Sequence, residues 1–464
     1  AVIVYHSRLT DNRRADVYRR LIGGSGGRLV VGVRSSVLLP LPLLSLVIVD
    51  EEHENSFKQA DSAPRYHGRD TAVMLAALCG AKTLLGSATP SVESYFNAAT
   101  GKYGLVTLAE RYGGAVLPRV IVSDTLRAAK RGEKRSHFNK VLLDRIGEAL
   151  QAGSQAILFQ NRRGFSPYVE CGHCGWTANC PDCNVSLTYH KSDGSLRCHY
   201  CGYRIPVPAV CPSCGTGSLL PRGFGTEKIE QELAAIFPEA AIDRLDADTS
   251  QSAGGYRRIV EAFEQGRTDI LIGTQIVTKG FDFGGVSLVG ILNADNLLNY
   301  PDFRAGERAF QLMTQVGGRA GRRSEPGTVV IQTAQPQHPV IEQVLRGDYG
   351  AMVRSQLAER RAFFYPPYCR LITVVMRHRD KELLWRAAGA FAGSAREVFG
   401  RRLLGPEAPP VDRIRGRFLV RFLLKIERRS PSAEAKRLLQ ELFGRLHART
   451  EFRSVEVAAD VDPM

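Results

Sequence analysis

The chain has 464 residues, enough for about three domains, and 44% of them are hydrophobic while 23% are charged. No stretch of 18 apolar residues occurs, so the sequence excludes a membrane span and predicts no membrane partner. Lysine and arginine outnumber aspartate and glutamate by 62 to 47, which favours a polyanionic partner such as nucleic acid.

Residues 1–110 alternate short apolar runs with helical stretches, which is the pattern of a parallel α/β sheet. The chain starts at Ala1 rather than at a methionine, and Ala1–Tyr5 already has the pattern of a strand, so we expect further sequence upstream. The other elements predicted in this segment are strands at Leu29–Val33, Leu46–Val49 and Thr83–Leu85 and a helix at Asp70–Cys79.

A connector rich in glycine and charge spans roughly 110–140, and a second α/β lobe then begins within residues 111–164. The predicted helix 140–151 and strand 156–159 open this lobe, a cysteine-rich module at 165–222 interrupts it, and residues 223–335 complete it. The strands predicted in the last part are Ile270–Ile272, Leu288–Leu292 and Val329–Gln332.

Residues 336–464 differ in pattern from the two lobes. They begin with helical periodicity up to the breaker Pro366-Pro367-Tyr368, and strand-like runs follow at Leu371–Met376 and Phe418–Ile426. This order predicts a separate C-terminal α+β domain.

Eight of the ten cysteines form four Cys-x-x-Cys pairs within a short stretch. Two such pairs supply the four thiolates of a closed tetrahedral zinc site, so the pattern predicts two Zn²⁺ ions. Disulfides and a redox-active motif are the alternatives, and four tandem pairs argue against the second. Spacing alone leaves open which pairs share an ion, and the nearby His173, His190 and His199 stay unassigned. The predicted ligands are Cys171, Cys174, Cys180, Cys183, Cys198, Cys201, Cys211 and Cys214.

The strand 46–49 is followed by Asp50-Glu51-Glu52-His53, the arrangement of a Walker B motif. Asp50 would hold the Mg²⁺ of a nucleotide, and Glu51 would orient or deprotonate the attacking water. We assign Glu52 and His53 to the same catalytic set. Acids after a strand often form only a solvated turn, and His53 by itself favours a structural role, so the assignment depends on companion motifs.

Three companion motifs follow in order along the chain. The turn Gly86–Pro90 carries hydroxyls suited to a switch that bonds to the acidic motif, and a polar loop follows the strand at 270–272. Gln315, Arg319 and Arg322 come next, and two arginines three apart share a helical face from which they can reach a γ-phosphate. The residues assigned to coupling are Ser87, Thr89, Gly273, Thr274, Gln275, Lys279, Gly280 and Asp282.

Together these motifs resemble motifs II, III, V and VI of the superfamily 2 helicases. The whole chain further resembles the PriA family of primosomal replication-restart helicases. The resemblance implies two RecA-like lobes with parallel sheets, a two-zinc insertion in the second lobe and a C-terminal α+β domain that binds DNA. The segments that carry this match, besides the motor motifs and the cysteines, are Gly32–Ser35, Tyr66–Asp70, Asn161–Gly164, Leu298–Arg304 and Asp460–Pro463.

By that resemblance the protein is an ATP-dependent 3′→5′ DNA helicase of replication restart. It would use ATP with Mg²⁺ and two Zn²⁺, bind branched and single-stranded DNA at stalled forks, and promote primosome assembly. The expected partners are primosome proteins and single-strand-binding protein, and the expected state is a cytoplasmic monomer.

The resemblance also assigns residues. The segment 53–70 resembles an aromatic-rich loop that couples DNA contact to hydrolysis, although Phe57 and Tyr66 packing beneath a surface loop is the alternative. The family's zinc pairing is interleaved: Cys171, Cys174, Cys211 and Cys214 bind one ion, and Cys180, Cys183, Cys198 and Cys201 bind the other. The module would serve unwinding and partner contacts, or act only as a structural clasp. The DNA contacts assigned are Arg34, Phe57, Lys58, Tyr66, His67, Arg69, Arg162 and Arg163.

The sequence departs from the family at its start, because no Gly-x-x-x-x-Gly-Lys-Ser/Thr phosphate loop occurs in it. The glycine-rich stretch 23–28 precedes a strand, so we interpret it as a loop that ends a helix. Without the amides and lysine of a phosphate loop, the chain as given is expected to hydrolyse ATP poorly or not at all. The alternatives are a non-enzymatic zinc-containing DNA-binding or scaffold protein and an RNA-acting superfamily 2 enzyme.

Overall fold

A computed structural model of the chain describes residues 2–7, 9–23, 29–60, 63–110, 117–160, 167–190, 193–222, 226–245, 253–274, 283–321 and 326–464. The chain divides into two compact units. The first unit comprises Ala1–Gly104, Tyr365–Leu403 and Arg415–Met464, and the second comprises Leu105–Phe364 and Leu404–Ile414. Across the described ranges, every helix is too short or too polar to cross a bilayer.

The N-terminal segment of the first unit contains two separate pairs of parallel strands. β1 (Val2–Tyr5) pairs with β2 (Leu29–Gly32), and β3 (Leu46–Val49) pairs with β4 (Lys82–Leu85), all close to the predicted positions. Ser91 caps the last helix of the segment by accepting a hydrogen bond from Ser94 N. The helices are α1 (Asp11–Ile22), α2 (Gly68–Leu78) and α3 (Val92–Ala99).

The second unit begins with a strand that the sequence analysis did not predict. Residues Arg119–Asp124, inside the expected connector, form β5, because a run of only three apolar residues is enough at the edge of an existing sheet. The elements that follow are α4 (Thr125–Lys130), β6 (Lys134–Arg135), β7 (Phe138–Asn139), α5 (Lys140–Gln151) and β8 (Gln155–Phe159).

The cysteine-rich insertion leaves the second lobe after β8 and returns beside its own start. Its first and last strands pair antiparallel, with Cys171 opposite Leu219, and its three middle strands form a small antiparallel sheet. An insertion whose ends meet leaves the host sheet uninterrupted. The strands are β9 (Tyr168–Cys171), β10 (Thr188–His190), β11 (Ser195–Arg197), β12 (Arg204–Pro206) and β13 (Leu219–Arg222).

The second lobe is a six-stranded parallel sheet, in agreement with the predicted RecA-like lobe. Its order is β14-β15-β8-β16-β17-β5. The central strands β8 and β15 are buried throughout, as strands covered by helices on both faces must be. The further elements are α6 (Thr226–Ile236), β14 (Ile242–Leu245), α7 (Ala253–Glu264), β15 (Ile270–Gly273), β16 (Val286–Ile291), α8 (Asp295–Leu298), α9 (Ala305–Gly317) and β17 (Thr328–Thr333).

Two helices assigned to the C-terminal domain belong instead to the second unit. α10 (Pro339–Arg346) and α11 (Tyr349–Ala362) precede the unit boundary at Tyr365, whereas the sequence placed the boundary at 336. The physical reason is a buried ion pair: the Arg360 guanidinium lies 2.5 Å from Glu307 Oε2 on α9, with side chains 1% and 4% exposed. The guanidinium also lies 5.1 Å from the Phe303 ring centroid.

The C-terminal part of the first unit is an α+β fold, as predicted. The long strand β18 lies antiparallel between β21 and β22, and two helices cover one face of these strands. Phe391 and Phe422 meet edge to face in that core, with ring centroids 5.1 Å apart. The elements of this part are β18 (Cys369–His378), α12 (Lys381–Phe399), β21 (Arg417–Glu427), α13 (Ser432–Ala448) and β22 (Glu456–Val461). The short strands β19 (Leu403–Glu407) and β20 (Arg413–Ile414) come between α12 and β21 in the chain and, except for Leu403, belong to the second unit.

The buried ion pair makes a testable difference between two adjacent arginines. Arg360→Ala leaves the Glu307 carboxylate buried without its partner, so we expect the free energy of unfolding to fall by about 3–5 kcal/mol. Arg361→Ala, at the exposed neighbouring position, should change it by no more than about 0.5 kcal/mol. Urea unfolding of both variants measures this, and equal losses would show that α11 is not anchored through Arg360.

Candidate functional site

The first two acids of the acidic motif are accessible to a ligand. Asp50 and Glu51 follow β3 directly, and both are exposed. Glu51 adopts a left-handed backbone (φ 47°), and its N–H donates to Asp50 Oδ1 at 2.9 Å. Carboxylate oxygens at the carboxyl end of a parallel strand are suitable ligands for Mg²⁺.

Glu52, the third acid, is in a different environment, because its carboxylate is buried (1% exposed) and fully hydrogen-bonded. It accepts from Ser91 N at 2.6 Å, from Ser91 Oγ at 3.1 Å, from Ser94 Oγ at 2.8 Å and from Arg69 Nη1 at 2.8 Å. Burial opposes charge on Arg69, but Asp70 and Glu52 hold its pKa above the ordinary value. These contacts favour a positioning role for Glu52 over direct contact with nucleotide.

His53 joins the acidic motif to the small-residue turn, as the predicted switch requires. His53 Nδ1 lies 2.7 Å from Ser87 Oγ and 3.5 Å from Glu51 Oε2. Ser87 Oγ in turn accepts from Thr89 N at 3.0 Å. The structure therefore brings four residues of the catalytic and coupling sets into one hydrogen-bonded group.

The aromatic-rich loop is held by cations that the sequence analysis assigned to DNA. Arg34 Nη1 donates to Lys58 O at 2.7 Å. The Lys58 ammonium, 3% exposed, lies 2.7 Å from Asp460 Oδ1 and donates to Val461 O, also at 2.7 Å. Together with Arg69, these cations are committed to intramolecular contacts here. Their role in binding DNA remains a prediction.

The two halves of this loop are paired. Lys58 and His67 form an antiparallel bridge, and Gln59 N donates to Tyr66 O at 2.9 Å. The Phe57 and His67 rings lie 6.4 Å apart, and Tyr66 Oη is buried. Phe57 and Tyr66 are both half-buried, which leaves part of each ring accessible for stacking.

His67 makes the stability of the first unit dependent on pH. Burial lowers the pKa of His67 from 6.5 to about 4, although the Asp70 carboxylate opposes the shift. The unfolded imidazole therefore binds a proton at a higher pH than the folded one. This contribution to stability is complete above pH 6.5 and is lost as the pH falls toward 4, by roughly 2 kcal/mol between pH 7 and pH 5.

We expect His67→Gln to remove that dependence. Urea unfolding at pH 7 and pH 5 should give a smaller loss of stability for the variant than for the unmodified chain, by the ~2 kcal/mol that the linkage relation assigns to His67. Identical losses in the two proteins would mean that His67 is not buried as a neutral group.

In the second lobe, the described residues of the catalytic and coupling sets lie at the ends of β15 and α9. Gly273 and Thr274 are buried at the end of β15, and Gln315 lies in the last turn of α9. α9 ends at Gly317, so Arg319 lies beyond the helix and the prediction of two arginines on one helical face is wrong. The assigned residues outside the described ranges are Arg162, Arg163, Gln275, Lys279, Gly280, Asp282 and Arg322.

The eight cysteines form two four-thiolate groups, and the pairing is interleaved. The groups are Cys171, Cys174, Cys211 and Cys214, and Cys180, Cys183, Cys198 and Cys201, with the four Sγ atoms of each within 4.8 Å of one another. Sγ–Sγ distances of 3.6 and 3.7 Å match the ~3.8 Å edge of a tetrahedron with 2.3 Å Zn–S bonds. They are far longer than a disulfide bond. The donor sets therefore fit two Zn²⁺ ions.

Each Cys-x-x-Cys pair is followed by a residue with a left-handed backbone. These residues are Gly175 (φ 75°), Asn184 (φ 50°), Gly202 (φ 84°) and Gly215 (φ 73°). In each turn, the N–H of that residue donates to the carbonyl of the first cysteine at 2.9–3.0 Å. Glycine and asparagine tolerate this conformation, so four Cys-x-x-Cys-Gly/Asn sequences were a further signal of metal-binding turns, which the sequence analysis missed.

The interleaved pairing predicts a specific zinc stoichiometry. Cys171→Ser with Cys211→Ser removes two ligands from one site, so the variant should keep one zinc per chain. Cys171→Ser with Cys180→Ser damages both sites and should leave none bound tightly. If the first two Cys-x-x-Cys pairs shared one ion and the last two shared the other, the first double variant would lose both ions and the second would keep one. Metal analysis of the purified proteins decides between them.

Three family models match parts of the chain. A model described as the PriA DNA helicase Cys-rich region domain matches residues 180–206, the helicase conserved C-terminal domain matches 225–324, and the primosomal protein N C-terminal domain matches 361–464. The first and last descriptions agree with the expected family.

Curated relatives match the chain nearly end to end. The replication restart protein PriA of Bacillus subtilis (strain 168) is 39% identical over 464 residues, which is 100% of this chain and 57% of the relative. That of Treponema pallidum (strain Nichols) is 40% identical over 99% of this chain and 68% of the relative. That of Synechocystis is 39% identical over 91% and 52%. The chain spans about half the length of most of the curated relatives it matches.

Among solved structures, RecG bound to a three-way DNA junction is similar over 77% of this chain and 36% of that chain. The sequence identity is 15% and the TM-score is 0.41, a likeness too slight to support an inference.

Proposed function

The chain belongs to the PriA family of replication restart proteins, and from that premise we propose that it is the motor segment of an ATP-dependent DNA helicase. The observation that carries the proposal is the acidic motif bonded to the Ser87 turn, in a chain whose second lobe holds two four-thiolate sites. Either feature alone is compatible with several kinds of protein, whereas their combination on this fold matches a zinc-bearing DNA motor.

In this proposal the three acids divide the chemistry between them. Asp50 would hold the Mg²⁺ that accompanies ATP, and Glu51 would accept the proton of the attacking water, because both carboxylates are accessible. Glu52, Arg69 and the serines that bond to Glu52 keep this strand end in place. His53 transmits movement of the acidic motif to Ser87.

The proposal also includes the direction of movement, the DNA substrates, the protein partners and the cellular location. We assign 3′→5′ polarity, binding to branched and single-stranded DNA, contacts with primosome proteins and single-strand-binding protein, and a cytoplasmic location from the family alone. The basic balance of 62 to 47 supports a nucleic-acid partner.

A second candidate function is a DNA-binding scaffold without ATPase activity. The observation that favours it is the absence of a phosphate-loop sequence from these 464 residues. DNA binding without hydrolysis is expected of this chain under both candidates, so the distinction requires the complete protein with any upstream residues included.

In such a complete protein, Glu51→Gln should abolish DNA-stimulated ATP hydrolysis while nucleotide binding and thermal stability stay unchanged, because Gln keeps the shape but cannot accept the proton. Glu52→Gln is the matched control: it removes a buried, fully hydrogen-bonded charge and should lower thermal stability. Unchanged turnover in Glu51→Gln would remove Glu51 from its role. A complete protein that binds DNA but never hydrolyses ATP would favour the scaffold.

A further inference from the structure

A groove of about 670 Å³ lies within the second unit, beside the first zinc site. One wall is the turn 173–176, which carries the ligand Cys174. The other wall is formed by α4 and by the residues at the carboxyl ends of β5 and β17. The groove lies outside the helicase motifs.

The two walls of the groove contact each other directly, so the groove is already formed in this structure. Gly175 approaches the end of β17 so closely that a Cβ atom on it would lie 2.6 Å from Ala334 O. Thr177 Oγ1 donates to Asn299 Oδ1 at 3.0 Å, and Lys130 Nζ donates to His173 O at 3.4 Å. The zinc turn is therefore seated on the lobe at three points around the groove.

The lining combines an aromatic face, positive charge and an unused donor. Trp176 is half-buried in the groove, and Arg127 and Lys130 are exposed on α4. Gln335 Nε2 is buried and has no hydrogen-bond partner among the described residues. The one acid in the described lining, Asp124, caps α4 by accepting from two backbone N–H groups at 2.9 Å. A stacking face beside phosphate-binding cations is the combination that single-stranded nucleic acid requires.

The groove also lies at the edge of the sheet where the strands end and where, in the chain, a segment assigned to DNA binding follows β8. All six strands are parallel, so the carboxyl ends of β8, β15, β17 and β5 share one edge. The assigned DNA contacts Arg162 and Arg163 follow β8 in the chain. One strand separates β8 from β17, a spacing of roughly 10 Å.

We propose that this groove is a subsite for single-stranded DNA, in which Trp176 stacks on a base while Arg127 and Lys130 neutralise phosphates. The inference rests on the proposed function, since the strand is the one that the motor would track. It gives the first zinc site a specific task, which is to hold the stacking residue against the edge of the lobe.

The chain contains two tryptophans, Trp176 and Trp385, and Trp385 lies in the first unit. Trp385→Phe therefore leaves Trp176 as the sole tryptophan. Titration of this zinc-loaded variant with a deoxythymidine oligonucleotide should quench its fluorescence. Trp176→Phe, which keeps only Trp385, should show no such change. A Trp176 signal that stays constant while the oligonucleotide binds would overturn the proposal, as would equal quenching by a duplex of the same length.

Affinity measurements with a labelled oligonucleotide test the same groove independently. Trp176→Ala should weaken binding by about 5- to 150-fold, the loss expected for one stacked base. Arg127→Ala should reduce the slope of log affinity against log salt by about 0.7. Arg145→Ala is the control, since Arg145 lies on α5 outside the groove, is partly exposed and is paired with Glu148. Each variant should contain two zinc ions and keep the unfolding midpoint of the unmodified chain, which shows that both the zinc module and the lobe are folded.

The outcomes separate this inference from the function on which it rests. If the unmodified chain binds no single-stranded DNA, the proposed function fails. If the chain binds but the groove variants bind equally well, only the subsite is wrong. If the groove variants bind an acidic peptide more weakly than the unmodified chain does, while their affinity for DNA is unchanged, the groove belongs to a protein partner instead.

Discussion

The second unit depends on thiolate ligands drawn from both ends of one insertion. Cys171 lies in the first strand of the module and Cys214 precedes the last, yet their sulfur atoms are 3.6 Å apart. A metal bridge there would close a long loop at its base, and because the site forms only in the folded chain, the free energy of metal binding would stabilise the fold. With its ends fixed, the module is a compact body, and the turn carrying Cys174 contacts the end of β17.

A second constraint operates in the first unit, where adjacent carboxylates differ because their surroundings differ. Asp50 and Glu51 are exposed, whereas Glu52 is enclosed by Arg69 and two serines. The buried group is stable as an anion only because donors surround it. One acid thus maintains the position of the two that are free to meet a ligand. The Lys58 contact with Asp460 similarly links the aromatic-rich loop to the last strand of the chain.

Much of the fold could be predicted from the sequence. β3 and α5 were predicted at their observed bounds, since a continuous apolar run and a clear amphipathic period are strong local signals. β5 was missed because its apolar run is short and gains its stability from β17. The domain boundary was misplaced because the side chain that assigns α11 to the second unit, Arg360, looks in sequence like an ordinary surface arginine.

The sequence by itself determined which eight cysteines are the candidate zinc ligands and which short motifs carry the other assigned residues, because each motif depends on residues only a few positions apart. Only the tertiary structure decided which cysteines share an ion, that Arg34, Lys58 and Arg69 direct their charges inward, and that Trp176 and Arg127 line one groove. Those facts depend on contacts between segments distant in the chain. Such contacts are set by the packing of whole elements, which a local pattern does not record.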